Sequence, residues 1–600
     1  MRQFFKFTFA SCLGVFIAGI CLFLLMISVV AGITASKGSG NEKHDVTSNS
    51  ILELKFENPV PELAGNEPES AGLDLSFLDK EKKSGLTDII DAIHHAATDS
   101  RIKGIVLNER TNGLGFTQLK RVRDAVEKFK LSGKFVWAYA DMYSQGAYYL
   151  ASIADSVILN PTGDVELKGI ASQLPFMKNL FDRLGVKWQI YYAGQYKSAT
   201  EPLRLDKMSA QNKLQTREYI SALYSSFLND ISKSRGVSVA ELATDADELL
   251  VRRAGDAVKY KLVDKVGYYD EFLSALHSKL GVSAKSTINS VSIDDYAHSY
   301  DRDRGEGKDR IAVVYAEGSI GYGGEAEKAG EIEGLRYAKL IRKLRNDDAV
   351  KAIVLRVNSG GGSATASDMI WRELNLARQK GKPVIASFGD VAASGGYYIA
   401  MAADSIFAES NTITGSIGVF SAIPSIEHTL KDKLGVAFDS VRTGKYAAGI
   451  NLWYDQTPEE GKMLQENTDT IYETFLNRVG TCRKMSRDQV HAVAQGRVWI
   501  ATKAKEIGLV DKIGGLDAAI AAAAAKINLK KYRVNDYPKQ ADKLERIIDK
   551  LTKKQSENDF VSAALRQQFG TDYTDYFNLV QRMTQMKEPQ MRLPMIFRVK

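Results

Sequence analysis

Cysteine is almost missing from this chain: three occur in 600 residues, and two of them, Cys12 and Cys21, fall inside an uncharged N-terminal run. Cys482 therefore stands alone in the rest of the chain and has no partner for an internal disulfide, whatever the redox compartment. Histidine is scarce too, at seven residues, with no His-Glu-x-x-His and no accompanying Cys-x-x-Cys, which argues against a zinc site; no metal or cofactor is expected. There is no strong excess of one charge. The formal net charge is +7, with Lys and Arg interleaved with Asp and Glu, so no basic stripe marks a nucleic-acid surface. Charged residues at 26% and hydrophobic ones at 44% describe a globular protein with ample core.

Charge is also missing from Phe7 to Ser36, a run longer than the ~20 residues a bilayer requires. It reads as a transmembrane helix. A cleavable signal peptide is the competing reading, but its apolar region spans about 7–15 residues, and Val30-Ala31-Gly32 is a weak cleavage site. Arg2 and Lys6 precede the span, so the positive-inside tendency keeps the N-terminus cytoplasmic and sends the body across the membrane. In a bacterial cell the expectation is a single-pass inner-membrane protein with a periplasmic body.

What the chain does carry is one unit twice. Ala393-Ser394-Gly395-Gly396-Tyr397-Tyr398 reappears as Ser144-Gln145-Gly146-Ala147-Tyr148-Tyr149, so the serine has become Gln145 in the first copy. Gly194-Gln195-Tyr196-Lys197 reappears as Gly444-Lys445-Tyr446-Ala447, so the lysine is lost from the second. The offset stays near 249, as residue 394 against 145 shows, and is 247 at Leu-Val-Asp-Lys, residue 509 against 262. Solenoid repeats recur every ~20–50 residues, so this is duplication of a whole domain. A serine kept in one copy and a lysine kept in the other point to one composite site across a pseudo-twofold.

Each copy alternates apolar strands with amphipathic helices, as in Lys351–Val357, the Gly360-Gly361-Gly362 turn and the helix through Arg378. That pattern predicts an α/β fold with parallel sheets and crossover helices. The expected divisions are residues 1–36 for the cytoplasmic N-terminus and anchor and 37–50 for a linker. The lysine-bearing repeat follows over 51–300, a junction over 301–310 and the serine-bearing repeat over 311–535. A helical extension is expected over 536–600, including a charged helix at Lys539–Lys554.

A serine hydroxyl is a weak nucleophile until a base takes its proton, and lysine does so only when neutral, which demands burial or neighbouring dipoles. Ser394 stands where a helix begins, a place that favours developing negative charge. Four segments in order carry a family resemblance: Arg356–Ser363, Ala393–Tyr398, Thr414–Val419 and Gly508–Gly515. Together they resemble signal peptide peptidase A, also called protease IV, in its long, tandem-duplicated, membrane-anchored form. The resemblance covers roughly Ile51 to the C-terminus.

It implies two tandem Clp-protease/crotonase-like domains and a serine-lysine dyad, with Ser394 as nucleophile and Lys197 as general base. By the same resemblance Ser416 holds the lysine amine, and the amides of Gly362 and Gly395 form the oxyanion hole. One position departs from the family, which has proline after Asn-Ser where this chain has Gly360. Lys445, two residues before the position of the lost lysine, is a rival base. The resemblance further implies cleavage of released signal peptides and other extended apolar peptides beside membrane lipid; relatives of this fold close into rings, and the expectation is a homotetramer. A non-catalytic peptide-binding scaffold and a crotonase-like acyl-CoA enzyme are the alternatives; retention of both serine and lysine opposes the first, and the extracytoplasmic topology the second.

Overall fold

The first repeat contributes β1 (Ser50–Leu54), β2 (Ile102–Leu107), β3 (Phe135–Ala140), β4 (Ser156–Leu159), β5 (Lys187–Ala193), β6 (Lys265–Val266) and β7 (Ser290–Ser292). All but β5 form one sheet in the order β6-β4-β3-β2-β1-β7, parallel throughout. The second repeat supplies β8 (Arg310–Glu317), β9 (Ser319–Gly321), β10 (Glu331–Glu333), β11 (Val350–Ser359), β12 (Gly361–Ser363) and β13 (Val384–Ala393). It continues with β14 (Ser405–Ala408), β15 (Ile413–Gly415), β16 (Val419–Ser425), β17 (Val498–Ile500), β18 (Lys512–Ile513) and β19 (Arg533–Tyr537), and a last short strand is β20 (Gln590–Arg592). Its main sheet runs β18-β14-β13-β11-β8-β19 in parallel, which repeats the first sheet strand for strand.

This computed structural model describes residues 46–65, 83–323, 330–539 and 589–593, together with Gly14. The apolar run Phe7–Ser36, Gly14 aside, and the charged helix expected over 539–554, Lys539 aside, lie outside the described residues. Among the described residues no helix is long and apolar enough to cross a membrane. The strands belong to one compact unit, Val46–Ala297 with Asp301–Lys600. The other unit, Met1–Asp45 with His298–Tyr300, holds only Gly14 and that three-residue segment among the described residues.

The strands are apolar without alternation because both faces are covered. On β8, Ile311, Val313 and Tyr315 pack with Leu516, Ala519 and Ala523 of the helix Leu516–Lys526. Ala312, Val314 and Ala316 face the opposite way, in the cluster that holds Ile370, Leu374, Phe475 and Leu476.

The repeats differ at the C-terminal end of the sheet. Strands β11 and β13 have ten residues each, against six for β2 and β3. The extra length of β13 pairs with β15, which in turn pairs with β17. At the corresponding place in the first repeat there is a single bridge, Tyr143 to Val165.

A third sheet joins the copies, in the order β10-β9-β12-β20-β16-β5. Strand β5 of the first repeat runs antiparallel to β16 of the second, from Ala193 opposite Val419 to Lys187 opposite Ser425. The copies are also joined where Arg356 donates to both carboxylate oxygens of Glu62 at 3.0 and 3.1 Å, with both side chains 1% exposed. Asp390 of the second repeat accepts from the amides of Thr117 and Gln118, at the start of a first-repeat helix.

One expected boundary and one expected element are corrected. The boundary at 535/536 falls inside β19, which continues to Tyr537 because it pairs along the outer edge of β8. Within the stretch expected to be helical, Gln590–Arg592 is a strand, since it pairs with both β12 and β16.

Candidate active site

Strand β13 delivers Ser394 to the start of the helix Gly395–Ala400. Ser394 sits at φ 55°, ψ −116°, a region a side-chain-bearing residue enters only at a cost. Its amide donates to the Gly415 carbonyl at 2.8 Å, and its hydroxyl makes no capping bond to the helix it begins. The hydroxyl is thereby left for another partner. Ser416, also at positive φ (50°), is anchored by its amide to the Arg497 carbonyl at 2.7 Å.

Lys197 comes from the first repeat, four residues after β5 ends against β16. Gly194 turns the chain at φ 103°; a β-carbon there would lie 2.4 Å from the Gln495 carbonyl carbon. The Tyr196 amide donates to the Gln495 carbonyl at 2.8 Å. Gly496 packs so closely that its β-carbon would sit 2.6 Å from the Lys197 nitrogen. Gln215 closes the third side: its amide nitrogen donates to the Tyr196 carbonyl (3.1 Å) and Ser198 Oγ (3.0 Å), and its oxygen accepts from the Val498 amide (3.1 Å).

The Lys197 Nζ lies 2.7 Å from Ser394 Oγ and 3.1 Å from both the carbonyl and hydroxyl oxygens of Ser416. Ser394 and Ser416 are fully buried, and Lys197 is 1% exposed. Among the described residues no carboxylate pairs with the amine, and burial alone holds its pKa well below the ordinary lysine value. A neutral amine can then accept the Ser394 proton along the same contact. Lys445, the rival, is solvent-exposed and faces Glu459 at 3.6 Å.

The glycine turn meets the dyad from the other side. The left-handed residue is Gly361, at φ 95°, and not Gly360, where a β-carbon would make an ordinary 3.5 Å contact with Leu593. Gly362 has no room for a side chain, since a β-carbon would lie 1.9 Å from the Ile320 carbonyl oxygen. One on Gly395 would lie 3.0 Å from the Gly362 nitrogen. Gly362 and Gly395 thus lie against each other, and Gly395 directly follows Ser394 in the chain.

The model of peptidase family S49 matches residues 128–283 and 376–530, one stretch in each repeat. The chain belongs to that family. Protease 4 of Salmonella typhi is 35% identical over 543 residues, covering 88% of this chain and 87% of its own. Protease 4 of Haemophilus influenzae is 35% identical over 524 residues, 84% of each chain. The chloroplastic serine protease SPPA of Arabidopsis thaliana is 33% identical, over 72% of this chain and 64% of its own. This S49 chain is accordingly a serine protease. Among solved structures, a point mutant of ClpP1 from Listeria monocytogenes aligns at 16% identity and a TM-score of 0.24, over 35% of this chain and 94% of that one, which bears on neither fold nor assembly.

Three features of this site had no sequence signal. Gln215 lies in the second turn of the helix Ala210–Arg235, Gln495-Gly496 reads as an ordinary turn, and Met591 belongs to a distant segment whose backbone reaches Gly361.

Proposed function

We propose that this protein is a serine endopeptidase in which Ser394 attacks the substrate carbonyl and Lys197 is the general base. The observation that carries the reading is the 2.7 Å contact between a serine hydroxyl and a buried, carboxylate-free lysine amine. In the proposed cycle the Ser394 proton passes to neutral Lys197 as Oγ adds to the carbonyl carbon. The resulting oxyanion is held by the amides of Gly362 and Gly395. The lysine ammonium then protonates the leaving amine, and water, deprotonated by the same lysine, cleaves the acyl-serine ester. Ser416 fixes the amine through two contacts and accounts for its aim at Ser394.

The substrates proposed are released signal peptides and other extended apolar segments. Two considerations support this: a site built beside strand edges suits extended chains, and the Phe7–Ser36 run would tether the body to the inner membrane, facing the periplasm. Assembly as a homotetramer is part of the same proposal. The test is labelling by a serine-directed fluorophosphonate across a pH series. The expected result is one adduct, at Ser394, that grows with pH until the amine is neutral. Labelling elsewhere, or equal labelling of a Lys197→Ala chain, would overturn the assignment.

A further inference from the structure

A dyad split between repeats has to be aligned across them. Lys197 and Ser394 stand 197 residues apart in the chain, and a productive contact between them needs both held to within about half an ångström. Lysine cannot hold itself, because its amine ends a flexible four-carbon stem. The pairing of β5 with β16 stops at Ala193, four residues before it.

One side of the helix Ala210–Arg235 supplies what the stem lacks. Gln215 and Glu218, three residues apart, share that side. Gln215 donates to the Tyr196 carbonyl and to Ser198 Oγ, on either side of Lys197, and accepts from the Val498 amide of β17 in the second repeat. Glu218 takes the residue before Val498: Arg497 Nη2 lies 2.9 and 2.7 Å from its two carboxylate oxygens. The Arg497 guanidinium also covers the rings of Tyr196 and Trp499, with centroids at 4.9 and 4.1 Å.

Arg497 closes the circuit through its backbone. Its carbonyl accepts from the Ser416 amide at 2.7 Å, and Ser416 in turn offers the Lys197 amine two oxygens. The groups that aim the lysine are thus tied to the turn that aims Ser416. With the Glu218 side chain 45% exposed, the ion pair adds little stability by itself, and what it provides is alignment.

We infer that Gln215, Glu218 and Arg497 are positioning residues of the proteolytic reaction, a clasp between the repeats that sets the Lys197 amine on Ser394 Oγ. The inference rests on the dyad assignment above. The three residues act through Lys197 and Ser416 and leave substrate binding to other groups.

Steady-state cleavage of an extended fluorogenic peptide across a pH series tests it. Gln215→Met removes the hydrogen bonds and keeps size and charge. It should lower kcat about tenfold to a hundredfold with KM nearly unchanged, since an error of about 1 Å in aim is enough for that. The rising limb of kcat/KM should also move to higher pH: burial keeps the amine neutral, and a loosened amine that meets water holds its proton longer. A merely structural loss would lower kcat and leave the limb in place. Arg497→Glu, nearer the surface, reads the same clasp if Gln215→Met does not fold. Adding Glu218→Arg restores opposite charges and should recover at least about fivefold over Arg497→Glu alone. An unmoved limb in folded Gln215→Met, or no recovery in the swapped pair, would overturn the inference while Lys197→Ala stays inactive. An active Lys197→Ala would instead remove the dyad, and the clasp with it.

Discussion

The two copies begin the same helix in two ways. In the first, Ser144 has an ordinary extended conformation (φ −63°, ψ 162°) and its hydroxyl accepts from the Ala147 amide as an N-cap. Gln145 follows, and its side chain is spent on the backbone: it donates to the Gly169 carbonyl and accepts from the amides of Lys168 and Gly169. In the second copy Ser394 adopts positive φ and gives up capping. Its hydroxyl meets Lys197 instead. Local comfort was kept where no chemistry is proposed, and strain is found where it is. The same holds for the lysine position, buried and tethered at Lys197 but replaced in the second copy by Ala447 in an exposed segment.

Lys197→Met breaks the comparison most severely. Losing the base should lower kcat by about 10³-fold or more. The same change should raise stability, because a lysine buried as the free amine binds its proton less readily than in the unfolded chain. Between the lowered folded value and the ordinary value of 10.5, the unfolded state carries the extra proton, so stability climbs with pH across that window. The gain in Lys197→Met should hence be largest near neutral pH, on the order of 2 °C in Tm, and shrink towards pH 10. Thermal melts of both proteins over that range check it; a less stable Lys197→Met would contradict the burial argument.

A smaller effect is expected from Ser416→Ala, which removes one of the amine's contacts but leaves the carbonyl. A loss of about tenfold in kcat, with the activity pH profile displaced, is the outcome expected of a positioning residue. A change in KM alone would place Ser416 in substrate binding.

The smallest effect on activity belongs to Gln145→Ser. Returning a serine to the first copy does not return a lysine, so kcat should stay unchanged and position 145 should take no serine-directed label. The lost backbone bonds should cost about 1–2 kcal/mol of stability, read by denaturant unfolding. A second labelled serine would mean that the first copy retains more of the machinery than its sequence indicates.

Much of this was legible before the structure because the duplication is a natural control. Residues changed in one copy and kept in the other singled out Ser394 and Lys197, and apolar strands alternating with helices gave the parallel sheets. The joining sheet was not legible. Strands β5 and β16 pair across 226 to 238 residues of chain, as Ala193 with Val419 and Lys187 with Ser425 show, and neither run announces its partner. Strand β20 escaped for the same reason: Gln-Met-Arg has no strand signature, and its conformation comes from the two edges it fills. Gly360 drew attention as a departure, yet the backbone demand falls one residue later, at Gly361.

The central claim is that a serine from one repeat and a lysine from the other act as one unit. The most direct test is kcat/KM on an extended fluorogenic peptide for the parent, Ser394→Ala, Lys197→Ala and the double variant, all shown to be folded. The account predicts that each single change removes nearly all activity and that the double variant is no worse than either, because parts of one unit do not add. Losses that multiply in the double variant, or a Lys197→Ala chain that keeps its activity, would contradict it.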